Sequence, residues 1–145
     1  MKAVEKYDYF KAIYKQELVL VKEGSFYKTY KDDAKILWSL FDYKWNNSSI
    51  GFGINNSSKI FDKIKNNGLG YIVIESDSDT ILVKGNSTIY DSYLNISLIK
   101  YEMFEKKNKI YKIIDKFISE NSEKVDDILN YLKSLQKGDD KSDKK

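Results

Sequence analysis

Four apolar residues in a row, Leu18-Val19-Leu20-Val21, precede a charged step at Lys22-Glu23, a Gly24-Ser25 turn and a second run, Phe26-Tyr27-Lys28-Thr29-Tyr30. An apolar run without polar alternation suits a strand covered on both faces. Gly24 admits a turn of either hand, so the pattern predicts a tight hairpin of residues 18–23 with 26–30. Ahead of it, Val4, Tyr7, Phe10 or Ala12, and Tyr14 recur at helical spacing and predict a helix over 1–16. Behind it, Ala34, Leu37, Trp38 and Phe41 fall at i, i+3, i+4 and i+7, the pattern of a core-facing helix over 32–41. Asp32 and Asp33 suit its start, where carboxylates meet free N–H groups and the positive dipole end.

The alternation of Tyr43-Lys44-Trp45 predicts a short strand, and Asn46 to Ser49 a turn. Residues 50–54 predict a strand whose two glycines allow close backbone approach. Asn55-Asn56-Ser57-Ser58 supplies a cap for a helix over 59–67, with Ile60, Phe61 and Ile64 inward and Gly68 ending it. Residues 71–75 predict a second buried strand. Asp77-Ser78-Asp79 then turns the chain into a hairpin strand over 80–84 that ends at Gly85-Asn86. The predicted order is α-β-β-α-β-β-α-β-β, an α/β (α+β) domain with a mixed sheet flanked by helices. After residue 88 the pattern changes. Tyr90, Tyr93 and Leu94, then Ile110, Ile113, Ile114 and Phe117, predict a long helix broken near Asn95 or Asn108. Asn121-Ser122 marks a turn. Val125, Ile128, Leu129, Leu132 and Leu135 predict a shorter amphipathic helix that closes an antiparallel helical hairpin. The expected division is an α/β domain over 1–88, a helical extension over 89–136 packed on it or on a second copy, and a disordered tail over 137–145.

Composition narrows the chemistry. The 145 residues are 41% hydrophobic and 14% aromatic, with 12 tyrosines, which suits one globular domain. The chain is lysine-rich: all 25 basic residues are lysine, and Arg, His, Pro and Cys are absent. Without Cys or His there is no disulfide, no thiol nucleophile, no imidazole base and no ordinary zinc site. The acidic pairs Asp32-Asp33 and Asp77/Asp79 are explained by a helix start and a turn, so no metal or other cofactor is expected. Gly51-Phe52-Gly53 and Gly68-Leu69-Gly70 lack the strand–loop–helix setting of phosphate-binding glycines and suit backbone needs of the sheet. No apolar run approaches the ~18–20 residues that cross a bilayer, so a cytoplasmic chain without membrane contact is expected. A net charge of +3 neither demands nor excludes nucleic acid.

Several short motifs carry a family resemblance. They are Gly24-Ser25-Phe26-Tyr27 with Asp33-Ala34 behind it, Ile50-Gly51-Phe52-Gly53-Ile54, Phe61-Asp62-Lys63-Ile64, and Gly68-Leu69-Gly70-Tyr71-Ile72-Val73-Ile74-Glu75. In this order they resemble the N-terminal mismatch-recognition domain of MutS proteins, over roughly residues 1–90. Lys84-Gly85-Asn86-Ser87-Thr88 stands where that family has a Thr-Pro-Gly-Thr turn. The resemblance implies a DNA-binding domain in which the Phe of a Phe-x-Glu motif wedges into the base stack and the Glu hydrogen-bonds the displaced base. Phe26 matches the wedge and Tyr27 its neighbour, but the Glu position holds Lys28. An ammonium gains from any phosphate and carries no mismatch information.

The expectation is therefore a non-enzymatic DNA-binding protein without true mismatch specificity. Phe26 and Lys28 would be presented at the hairpin, with Lys22, Lys106, Lys107 and Lys109 as phosphate contacts. Residues 100–116 hold six lysines against three carboxylates, which also describes the solvated face of an amphipathic helix. The alternative is a protein-interaction module that keeps the fold, lacks the DNA site and forms homo-oligomers or meets a protein partner through its C-terminal helices. A metal-dependent hydrolase would need the acidic pairs to converge. No P-loop or ATPase occurs in these residues, so the expected action is binding.

Overall fold

The structure is a computed structural model that describes residues 1–45, 48–76 and 78–143, with side-chain surroundings described up to residue 137. Its elements are α1 (Ala3–Ile13), β1 (Glu17–Glu23), β2 (Phe26–Tyr30), α2 (Lys31–Phe41), β3 (Ser49–Gly53), α3 (Ser57–Asn66), β4 (Gly70–Ser76), β5 (Asp79–Val83), α4 (Ser87–Glu120) and α5 (Val125–Asp143). Short 3-10 turns precede α3 and α5. The chain forms two compact units, residues 1–102 and 103–145.

In the first unit the five strands run in the order β3-β2-β1-β4-β5. β1 pairs parallel with β4, and the other neighbours are antiparallel. β1 is the middle strand, and Leu18, Val19, Leu20 and Val21 are all buried because both faces of the sheet are covered. On one face Val19, Val21, Ile72 and Ile74 pack with Tyr7 of α1. On the other, Leu18, Leu20, Tyr71 and Val73 pack with Ala34, Ile36 and Leu37 of α2, Ile60 and Ile64 of α3, and Tyr90 of α4. The mixed sheet flanked by helices is the architecture that the sequence predicts.

Asp33 ties the two faces together. Its carboxylate is fully buried and accepts hydrogen bonds from the Val19 amide at 3.0 Å, the Lys11 ammonium at 2.9 Å and the Tyr90 hydroxyl at 2.7 Å. Its task is thus broader than the helix start predicted for it. It joins α1, β1 and α4 to the first turn of α2. The same donors account for it without a metal, and among the described residues no three His, Cys, Asp or Glu side chains converge.

Other expectations are corrected. Residues 43–45 form no strand: Tyr43 stacks on Phe41 with ring centroids 5.5 Å apart, and Trp45 lies 6.0 Å from Trp38 and 4.9 Å from Tyr101. The segment therefore folds back on its own helix instead of pairing with the sheet. Of the predicted turn at 46–49, Asn46 and Asn47 lie outside the described residues, as does Asp77 of the later turn. α4 runs unbroken through Asn95 and Asn108. Both point to solvent, where an interior asparagine costs under about 1 kcal/mol relative to alanine. α5 spans Val125–Asp143, and Lys144 and Lys145 lie outside the described residues.

The second unit comprises the end of α4, a 3-10 turn (Ser122–Lys124) and α5. None of its described side chains up to residue 137 is buried. Met103, Ile110, Ile113 and Phe117 on α4, and Val125, Leu129, Leu132 and Leu135 on α5, are exposed. Among the described residues no helix is long and apolar enough to cross a membrane.

Candidate nucleic-acid interface

The hairpin geometry begins at Gly24, whose φ of +62° is left-handed backbone that glycine adopts without steric cost. This turn sets Glu23 opposite Phe26 and Val21 opposite Lys28 in the β1–β2 ladder. Directly paired residues share a face, and faces alternate along a strand. Glu23, Phe26 and Lys28 therefore stand together on the face that carries α1. The Phe26 ring is 49% exposed, a large apolar surface left open to solvent. The Lys28 ammonium lies 2.9 Å from Glu23, and this hydrogen bond raises the lysine pKa. The pair is partly exposed, so opening it costs about 0–1 kcal/mol.

Across from β2, the edge strand β3 sets Gly53 opposite Phe26 and Gly51 opposite Lys28. A Cβ on Gly53 would meet nothing, and one on Gly51 would touch the Lys28 stem at 3.4 Å. The edge beside Phe26 is thus bare backbone. Together with Tyr43, Lys44 and Trp45 it forms an open groove of about 650 Å³, with Phe26, Lys28 and Gly51 on its other side. Phe26 and Lys28, paired by the sequence, are paired in space.

Lys22 is not with them. It is opposite Tyr27 and so lies on the other face, 3.6 Å from Glu75. Glu75 also accepts a hydrogen bond from the Tyr27 hydroxyl, whose pKa is pushed up to about 12 by burial and by that bond. Tyr27 is buried among Phe52 and Phe61, as a core residue. Lys106, Lys107 and Lys109 are exposed on the part of α4 that belongs to the second unit.

Three residues of the groove escaped the sequence pattern. Tyr43, Lys44 and Trp45 read as a strand by alternation, and only the aromatic excess around Trp38 and Phe41 signals that they pack on α2. Glu23 escaped because its nearness to Phe26 arises across the turn, not along the chain.

Residues 2–88 match MutS domain I. No curated protein matches the chain. The match takes in the whole five-stranded sheet, the exposed Phe26 and the groove beside it, while α5 and all but the first two residues of α4 lie beyond it. The chain belongs to the MutS domain I family, the mismatch-recognition domain of MutS proteins.

Proposed function

We propose that the protein acts by binding duplex DNA at the β1–β2 hairpin, without catalysis and with little discrimination between matched and mismatched base pairs. The observation that carries this reading is the exposed Phe26 ring on the same face as Lys28. An apolar ring at a turn can replace stacking lost where a duplex kinks. Beside it, Lys28 can exchange the Glu23 carboxylate for a phosphate at small cost, since the ion pair is exposed. The carboxylate opposite Phe26 in the ladder is Glu23, and Lys28 already occupies it. Affinity therefore comes from phosphate and stacking, which every sequence offers.

Fluorescence anisotropy with matched and singly mismatched duplexes at about 50 and about 200 mM salt tests this, a range over which phosphate-driven affinity falls steeply. The expected result is salt-sensitive binding that differs only a few-fold between the duplexes. Phe26→Ala should lose about 1–3 kcal/mol, the usual worth of one base–aromatic stack. A mismatch preference above tenfold would overturn the claim of weak discrimination, and absence of binding at low salt would overturn the DNA reading.

A second reading concerns the C-terminal helices. Met103, Ile110, Ile113 and Phe117 are all exposed and fall at i, i+7, i+10 and i+14. That is the spacing of a coiled-coil seam, which fits another helix of the same spacing better than it fits water. The occupant we propose is a second copy of this chain, because a two-fold pair supplies the matching seam from the same residues. Light scattering behind size exclusion should then give a dimer at tens of micromolar, and Ile113→Lys should return a monomer. A monomeric wild type at that concentration sinks the reading.

A further inference from the structure

The groove beside Phe26 is wider than a wedge needs, and nothing in duplex binding uses its far wall. That wall is made by Tyr43 and Trp45, both half-buried, with the exposed Lys44 between them in the chain. Each ring is held by neighbouring rings, Tyr43 by Phe41 and Trp45 by Trp38 and Tyr101. Bracing fixes a ring's orientation before anything binds, so little conformational freedom is lost on binding. The near wall is Phe26 and Lys28, and the floor is Gly51, with the Lys28 stem beside it. At about 650 Å³ the groove lies within the roughly 300–1,000 Å³ typical of organic-ligand sites. Among its described lining residues there are two lysines and no carboxylate, and Lys28 carries Glu23 as its ion-pair partner.

Aromatic faces with lysines around an open groove are the chemistry that holds single-stranded nucleic acid: bases stack on the rings and ammonium groups follow the phosphates. A stacked duplex cannot offer its base faces to Tyr43 and Trp45. We infer that this groove binds unpaired, unstacked nucleotides, with Tyr43 and Trp45 as the stacking surfaces and Lys44 and Lys28 as the phosphate contacts. The inference deepens the DNA reading above and rests on it. It names the preferred structure as one that contains a single-stranded stretch, as distinct from a mispair held inside the helix.

Two probes test it, a ten-nucleotide oligothymidylate, which has no pairing and little self-stacking, and a fully matched duplex of similar length. The oligothymidylate should bind with quenching of tryptophan emission. Tyr43→Ala and the surface change Lys44→Glu should each weaken that binding at least tenfold, and Tyr43→Ala should leave duplex binding within twofold of wild type. Lys44→Glu guards against a folding artefact, since that side chain is exposed. Duplex binding that persists while the oligothymidylate binds without quenching, or equally well to both variants, would overturn the groove and leave the duplex reading standing. Quenching by oligothymidylate with no duplex binding would support the groove and overturn the duplex reading. No binding to either probe at low salt would overturn both.

Discussion

Replacing Gly70 with alanine is expected to destabilise the protein by about 3 kcal/mol or more. Gly70 opens β4, where the chain segment after β5 crosses it. An added Cβ would lie 2.5 Å from the carbonyl carbon of Lys84 and closer still to the amide nitrogen and Cα of Gly85. These are backbone atoms, so no side-chain rotation relieves the clash. Nor can β4 step aside. Gly70 pairs with Glu17 in β1, and the next residue, Tyr71, pairs with Val83 in β5. Overpacking in a core ordinarily costs about 1–3 kcal/mol, and a clash between two pinned backbones belongs at or beyond the upper end. Against a typical total of about 5–15 kcal/mol that is a large fraction. Thermal unfolding followed by circular dichroism should show a midpoint lowered by roughly 10 °C or more, or no cooperative transition. A midpoint within a few degrees of wild type would show that the crossing has slack.

Asp33→Ala is the second large effect, with an expected loss of about 3–5 kcal/mol in urea unfolding. The change removes the acceptor of three donors at once: the Val19 amide, the Tyr90 hydroxyl and the Lys11 ammonium. The Val19 amide and Tyr90 are left in the interior, where an unmet donor costs about 1–3 kcal/mol. Lys11 is 21% exposed at its side chain and can recover water, so Lys11→Met should cost less than Asp33→Ala. A loss below about 1 kcal/mol for Asp33→Ala would mean that the network does not hold the fold together. The carboxyl also predicts a pH signature. Burial raises the Asp33 pKa, with Lys11, Tyr90 and the Val19 amide opposing the rise. A folded pKa above the unfolded value of about 4 means that the folded state holds its proton longer. The group's share of stability is then present at low pH and is lost as pH rises through the raised value. Asp33→Asn, which cannot titrate, should lack that slope.

Much of this fold is legible from local pattern. The unbroken apolar run at residues 18–21 requires cover on both faces, and it has it. The i, i+3, i+4 spacing in α2 and α3 marks Ala34, Leu37, Ile60 and Ile64, all buried. Gly68 ends α3 with a φ of +78°. What fails does so for identifiable physical reasons. Alternation at Tyr43-Lys44-Trp45 is two-residue periodicity without a neighbouring strand, and ring packing on α2 wins. Asparagine is a poor helix former, but two exposed asparagines are too weak to break a helix as long as α4. Asp33 looks like a helix-start carboxylate because its long-range partners, Lys11 and Tyr90, are invisible to any local window. The site divides in the same way. Phe26 and Lys28 lie two residues apart on one strand, so strand periodicity alone places them on one face. That periodicity also separates Lys22 from them, through the register of the turn.

The parallel ladder between β1 and β4 also dictates an order of events in time. β2 meets β3 across α2, whereas β1 with β2 and β4 with β5 pair antiparallel across two residues each. Closures of this kind take microseconds. The β1–β4 seam instead brings Glu17 to Gly70, across α2, β3 and α3. The long loop must be closed before its contacts repay the entropy, which makes this docking the slow step. During synthesis, a chain that has passed Gly53 can hold a three-stranded sheet whose open edge is β1, its most apolar strand. Until Ser76 has emerged, that edge has no partner of its own. It is the interval in which a nascent chain is most exposed to pairing with a neighbour, and in which a holding chaperone would make the most difference.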